Sequence, residues 1–448
     1  MPMKSRVRFT FAYDGSCRTA IAALLASIET VAGDDHKSVI RAVPLSRLNQ
    51  VDFRNNLVEY VCMSSMTRSF PSRVDALNSL REKHGGAFLS IIGGPHASGD
   101  PRGALAAGFD YCCAGEGEEV IRDIYRRASS GRSLAGVRGL LGTDRDLSGW
   151  EVGMPGSEDS LPGSGGGAGR PKPAGQRPAP VDLDCFDPLP RRIRFPTYIE
   201  VGRGCRWDCT YCQTPRLFGR TERFRSPENV QEIAAHYAGL GMEDFRLLLP
   251  NAFAYMSPGP GIPNRKALDR LLKAVHSVAG GGKVYMGSFP SEVRPDYVTP
   301  EVANTVRKYV SNDNLVIGGQ SGSSRVLNLV SRGHDVADIR RACEIAGRAG
   351  FRPSVDLMLG FPFEEPGDRT ATFRLAEELG QEGIRINMHF LMPLAGTPLA
   401  GCRPRFLSEG ERRELDRLAQ QGIVKGSWRR QEETARKWQG RDEKSQNG

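Results

Sequence analysis

The stretch VGRGCRWDCTYCQTP, residues 201–215, places Cys205, Cys209 and Cys212 in a C-x3-C-x2-C arrangement inside a chain of otherwise ordinary composition. The alternating run TYIEVG before it predicts a strand, and the glycine at 204 lets the chain turn sharply, so the three thiols sit on a loop leaving that strand. Thiolates ligate both zinc and iron-sulfur clusters, and the ligand count decides between them. A structural zinc site wants four ligands. The nearest further cysteines are Cys185, upstream, and Cys343, in a predicted helix, and no histidine lies in the loop. Three ligands on a four-iron cluster leave one iron open to a substrate or cofactor, which is a catalytic arrangement.

Outward from the loop, residues from about 195 to 400 alternate strand and helix signals. Strands are predicted at TYIEVGRG, FRLLLP, KVYMGSFP, NLVIGGQSG, RPSVDLMLGFP and INMHFLMP, with amphipathic helices between them. Six such units make most of a barrel but not the eight of a closed one. The first 130 residues repeat the alternation. Strands are predicted near Arg6–Tyr13, Val39–Pro44, Leu57–Met63, Ala87–Gly93 and Tyr111–Ala114, and helices near Cys17–Thr30, Arg73–His84, Arg102–Ala107 and Glu118–Ser130, the pattern of a doubly wound α/β domain. Ligands in such sheets lie beyond the carboxyl ends of the strands, so YDGSCRT, MSSMT, GGPHAS and GEGEE are the turns of interest. Between them and the barrel the composition shifts to Gly, Pro and Ser, too poor in apolar residues to offset the entropy of ordering. The expected organisation is therefore residues 1–141, an α/β domain; 142–190, a flexible linker; 191–401, the barrel; and 402–448, a basic helical extension.

At 448 residues, with 39% hydrophobic and 25% charged residues, the chain is long enough for two cores. No apolar run approaches the roughly 20 residues that span a bilayer. The N-terminus enters a strand without a secretory h-region, so a cytoplasmic location is expected, where ten sparse cysteines would stay reduced. The formal charge of +9 is diffuse, concentrated only in RRIRF and the C-terminal tail, so a solvated surface is expected, with neither nucleic acid nor membrane as a partner.

The cysteine loop resembles the signature of radical S-adenosylmethionine (SAM) enzymes, including an aromatic residue, Tyr211, before the last cysteine. The resemblance implies a partial (β/α)6 barrel, a 4Fe-4S cluster on Cys205, Cys209 and Cys212, and SAM chelated to the open iron. It assigns Asn251 of PNAF to the methionyl amino group, Gln320 and Ser321 of IGGQSGS to the ribose and carboxylate, and Gly360 of LMLGFPFEE to the adenine turn. The N-terminal domain resembles the cobalamin-binding module that precedes many such barrels. There, Ser64-Ser65 and Gly93-Gly94 would line one crevice, with 26 residues between Met66 at the end of the triplet and Gly93, and with Asp14 retained from an Asp-x-His-x-x-Gly element whose histidine is absent. The stretches GSFPSEVRPDYVTPE and GGQSGSSRVL resemble an uncharacterised archaeal-type group. The function implied is methyl transfer by cobalamin to an unactivated carbon or phosphorus of a small molecule, with a flavodoxin or ferredoxin as electron donor. Cobalamin-independent radical chemistry, including tRNA methylthiolation, is the alternative, and a cluster- or corrinoid-binding sensor a third. Cys112-Cys113, on a predicted inner strand, is expected in the core, and Cys17, Cys62 and Cys112-Cys113 do not form the second cluster motif that methylthiolation needs.

Overall fold

The computed structural model describes residues 7–33, 39–53, 57–142 and 178–446. In the N-terminal domain, VRFTFAY forms β1 (Val7–Tyr13), whose Phe9 and Phe11 are fully buried. It pairs in parallel with β2 (Ile40–Pro44) on one side and β3 (Val58–Ser64) on the other, and Phe9 stacks on Tyr60 at 4.8 Å. Next come β4 (Leu89–Gly93), β5 (Tyr111–Cys113) and β6 (Leu140–Gly142), in the sheet order β2-β1-β3-β4-β5-β6. The strand order reverses between β1 and β3, which is where a doubly wound sheet opens its crevice. Only β6 is antiparallel, and it is not foreseen from sequence because three residues at a composition boundary carry no periodicity.

Most of the expected linker, residues 143–177, lies outside the described residues. Residues 178–190 are packed: Val181, Leu183 and Phe186 form a small core, and the buried Tyr237 hydroxyl donates to Pro190 O. The RRIRF segment that follows is a joint between the domains. Glu29 accepts the backbone N–H groups of Arg191 and Arg192, and Arg18 lies over the Phe195 ring at 4.6 Å.

The predicted strand TYIEVGRG divides in two. β7 (Ile199–Glu200) pairs with the barrel sheet, and after Val201 the chain turns so that β8 (Gly202–Arg203) pairs with β9 (Arg223–Phe224) across the base of the cysteine loop. The barrel continues through β10 (Asp244–Leu248), β11 (Lys283–Tyr285), β12 (Asn314–Gln320), β13 (Arg352–Leu359) and β14 (Arg385–Phe390). Its two sheets, β11-β10-β7 and β12-β13-β14, are joined by a parallel bridge between Val293 and Ile317. Ser226, Asn264, Thr299 and Asp335 cap the barrel helices Pro227–Gly239, Arg265–Val278, Pro300–Arg307 and Val336–Arg348 through their side-chain oxygens, satisfying first-turn N–H groups.

The C-terminal extension is helical, Glu409–Gln420 and Trp428–Gln446, but it is more than an exposed appendage. Between its helices β15 (Val424–Lys425) adds to β14, and Leu415, Leu418, Val424 and Trp428 are buried. The two leucines, three apart, make a narrow apolar stripe that the surrounding charges hide in sequence. No helix among the described residues is long and apolar enough to cross a membrane.

Candidate active site

Cys205, Cys209 and Cys212 line one cavity at the carboxyl end of the barrel strands, together with Trp207, Tyr211, Asn251, Glu292, Arg294 and Arg332. The loop is held from several sides. Cys205 N donates to Gly219 O, Thr210 N to Val330 O, and Cys212 N to Cys209 O. Gly204, at φ +87°, lies so close to Thr221 that a Cβ would stand 2.3 Å from its carbonyl oxygen, so only glycine fits this turn. Neither Cys185, which is exposed, nor Cys343, in a buried helix face, lines the cavity. Among the described residues no three His, Cys, Asp or Glu side chains are drawn together around a point for one metal ion. The three thiols share the wall of one cavity.

Two arginines and a glutamate, none anticipated from sequence, dominate the electrostatics. Arg332 is buried; its Nη1 donates to Cys209 Sγ at 3.7 Å and its Nη2 to Gly318 O at 2.7 Å, and burial, which opposes its charge, is outweighed by Tyr211, Cys209 and Glu292. Hydrogen bonds to ligand sulfur are among the determinants of cluster potential. Arg294 lies over the Trp207 ring at 3.7 Å and pairs with Asp296 at 3.1 Å. Burial, helped by the charge of Asp356, pushes the Glu292 carboxyl up against the pull of Arg332, His389 and Arg294. Gly318 makes room for this group, since a Cβ there would sit 2.4 Å from Glu292 Oε2 and 2.8 Å from Arg332 Nη2. Burial also pushes the Cys205 thiol up to about 11, so loading metal at neutral pH must displace a proton.

The residues assigned by resemblance fall in different places. Tyr211 lines the cavity and packs on Phe361 with the rings tilted, centroids 5.8 Å apart. Asn251 also lines it; its Oδ1 accepts Arg294 N–H, while its buried Nδ2 has no partner among the described residues. Gln320 holds φ +68°, a left-handed backbone rare outside glycine, and its Nε2 donates to Glu292 Oε2 at 3.3 Å. Ser321 is fully buried, its hydroxyl shared with Thr372 and accepting Ser323 N–H. Gly360, at φ +96°, packs under the Phe390 ring, and its N–H donates to Glu364. His334 precedes the cap Asp335, and burial beside Arg332 and Arg294 depresses it to about 2, so it is neutral.

A cluster and SAM fit this set. The thiols can hold iron, the orphaned Asn251 Nδ2 and Trp207 Nε1 are buried donors on the cavity wall, and Glu292 and Arg294 offer opposite charges for an amino acid group.

At the N-terminal domain the expected residues do meet. Ser64 and Gly93 are register partners, Ser65 N donates to Gly93 O, and a Cβ on Gly94 would stand 2.5 Å from Ser64 Oγ. The crevice between β1 and β3, however, is occupied. Arg73, with no exposure, donates from Nε to Ser64 O at 3.0 Å and pairs through Nη2 with Asp14 at 2.7 Å. Burial pushes Asp14 up, but hydrogen bonds from Ser16 and Arg73 outweigh it and hold the carboxyl below its usual range. The arrangement does not fit a corrinoid tail at this position. The GEGEE turn is likewise committed: Glu116 and Glu118 meet Arg203 at 2.9 and 2.6 Å, and Glu116 also takes Arg223.

The model of the radical SAM superfamily matches residues 199–376, which span the cysteine loop and most of the barrel. The tRNA-2-methylthio-N(6)-dimethylallyladenosine synthase of Hahella chejuensis is 32% identical over 249 residues, 53% of each protein, so the chain spans about half the length of such curated relatives. An uncharacterised protein of Methanopyrus kandleri, MK0932, is 24% identical over 345 residues, 66% of this chain and 59% of its own. Among solved structures, the radical SAM methyltransferase TsrM from Kitasatospora setae, with cobalamin and a 4Fe-4S cluster bound, superposes with a TM-score of 0.63 at 15% identity, covering 88% of this chain and 74% of that one. The cobalamin-dependent radical enzyme OxsB with aqua-cobalamin bound gives 0.58 at 12%, covering 84% and 52%. At these identities the likeness is one of fold.

Proposed function

We propose that this chain is an enzyme that reductively cleaves SAM at a 4Fe-4S cluster held by Cys205, Cys209 and Cys212, and directs the radical at a small-molecule substrate near the barrel mouth. The observation that carries the reading is the shared cavity of the three thiols with Asn251, Glu292, Arg294 and Arg332. When bound, the reduced cluster supplies the electron that breaks the SAM sulfonium to a 5'-deoxyadenosyl radical. The chain's own part is to hold and shield. Glu292 would accept an ammonium and Arg294 donate to a carboxylate, while Arg332 supports Cys209 by hydrogen bonding. A flavodoxin or ferredoxin is the electron donor this reading calls for.

Cobalamin-dependent methyl transfer is a second reading, favoured by the likeness of fold to TsrM and OxsB and opposed by the filled β1/β3 crevice. tRNA methylthiolation is favoured by the sequence relatives, but Cys17, Cys62 and Cys112 are buried in the domain core, and none of them, nor Cys113, lines the cavity.

Anaerobic reconstitution, iron and sulfide quantitation, and an assay for 5'-deoxyadenosine with dithionite test the proposal. One four-iron cluster and SAM cleavage are expected, both lost in the triple Cys→Ala variant. Cleavage surviving in that variant refutes the assignment, and a second cluster's worth of iron would favour methylthiolation.

A further inference from the structure

The carboxyl edge of the N-terminal sheet is where a doubly wound domain binds its ligand, and here it is already in use. Arg73, in the first turn of the helix Phe70–His84, reaches back between the ends of β1 and β3. Its guanidinium bonds Ser64 O and pairs with Asp14, and its Nη2 lies 3.3 Å from Ser16 Oγ and 3.7 Å from Cys17 Sγ. Planar, permanently charged and without exposure, it occupies the switch point as a built-in ligand, with Asp14 as its counter-ion.

The neighbouring strand ends are covered as well. Gln213, the residue after the last cysteine of the loop, donates from Nε2 to Ala395 O at 2.8 Å and to Pro95 O at 3.3 Å, and Thr67 Oγ1 lies 3.4 Å away. Gly99 packs so tightly on the 395–396 turn that a Cβ would stand 2.3 Å from Ala395 O. The edge that could have held a cofactor tail is a docking face that grips the cysteine loop.

We infer that this N-terminal domain excludes cobalamin, because the Asp14–Arg73–Ser64 bridge fills the crevice a corrinoid tail would enter, and that the domain instead braces the cysteine loop. A tail entering between β1 and β3 would have to expel a buried cation and strand Asp14.

The test uses the full chain with its cluster reconstituted, incubated with excess hydroxocobalamin and desalted. Retained corrinoid is read by absorbance and, after reduction, by the cob(II)alamin resonance. Wild type is expected to retain no stoichiometric corrinoid, while Arg73→Ala, or Arg73→Ser should the first not fold, gains retention at least tenfold, equivalent to about 1.4 kcal/mol. One base-off corrinoid per wild-type chain would overturn the inference, whatever the variants do. Failure of both folded variants to gain corrinoid would overturn Arg73 as the excluding group. Release of 5'-deoxyadenosine from the same preparation reports separately on the radical chemistry.

Discussion

Replacing Arg203 with methionine should separate the two domains and loosen the cysteine loop together. Arg203 is the last strand residue before Gly204 and Cys205, and its guanidinium meets Glu116 at 2.9 Å, Glu118 at 2.6 Å and Glu200 at 2.7 Å, with all four side chains at 12% exposure or less. Removing the cation leaves Glu116 with Arg223, but Glu118 and Glu200 lose their close partner. Breaking a buried pair from one side costs about 3–5 kcal/mol. At roughly 2–4 °C per kcal/mol for a domain of 150–250 residues, the melting temperature should fall by about 6–20 °C. The pH dependence is the sharper signature. In the wild type burial raises the Glu118 pKa, but Arg203 outweighs it and holds the carboxyl below its ordinary range, so the stability it contributes is present at neutral pH and lost on acidification. In the variant burial is unopposed by Arg203, the pKa rises, and lowering the pH should relieve the defect. Adding Glu118→Gln, which removes the orphaned charge, should recover about 1–3 kcal/mol. Urea titration followed by circular dichroism across pH, with iron content after reconstitution, measures all of this. A loss under about 1 kcal/mol, or a loss that neither acid nor Glu118→Gln relieves, would refute the view that this network joins the domains by charge compensation.

Burial pushes the Glu364 carboxyl, on the Gly360 turn, from an ordinary 4.5 up to about 7 against the pull of Arg369. The folded state therefore holds this proton more tightly than the unfolded chain; its contribution is greatest below pH 4.5 and declines by roughly 3 kcal/mol as pH rises to about 7, a slope that Glu364→Gln should flatten in unfolding titrations. Gly318→Ala should displace Glu292, weakening SAM binding by calorimetry about tenfold, or ~1.4 kcal/mol, while iron loading is retained; unchanged affinity would remove Glu292 from the SAM site.

Sequence by itself determined what depends on neighbours along the chain. Strand alternation, helical amphipathicity and the C-x3-C-x2-C spacing are local properties, and they located five of the six N-terminal strands, the six barrel units and the three thiols. The resemblance set Ser64 and Gly93 at the ends of two strands lining one crevice, and their register as partners on β3 and β4 came from the fold. Tertiary structure decided the rest. Glu292 and Arg332 reach the cysteine loop from other barrel segments, Arg203 finds its carboxylates 85 and 87 residues away, and Arg73 turns a crevice into a filled joint. An arginine read along a chain is a surface charge by default; it becomes a brace, a plug or a donor to sulfur only when folding removes water and supplies an acceptor within hydrogen-bond reach.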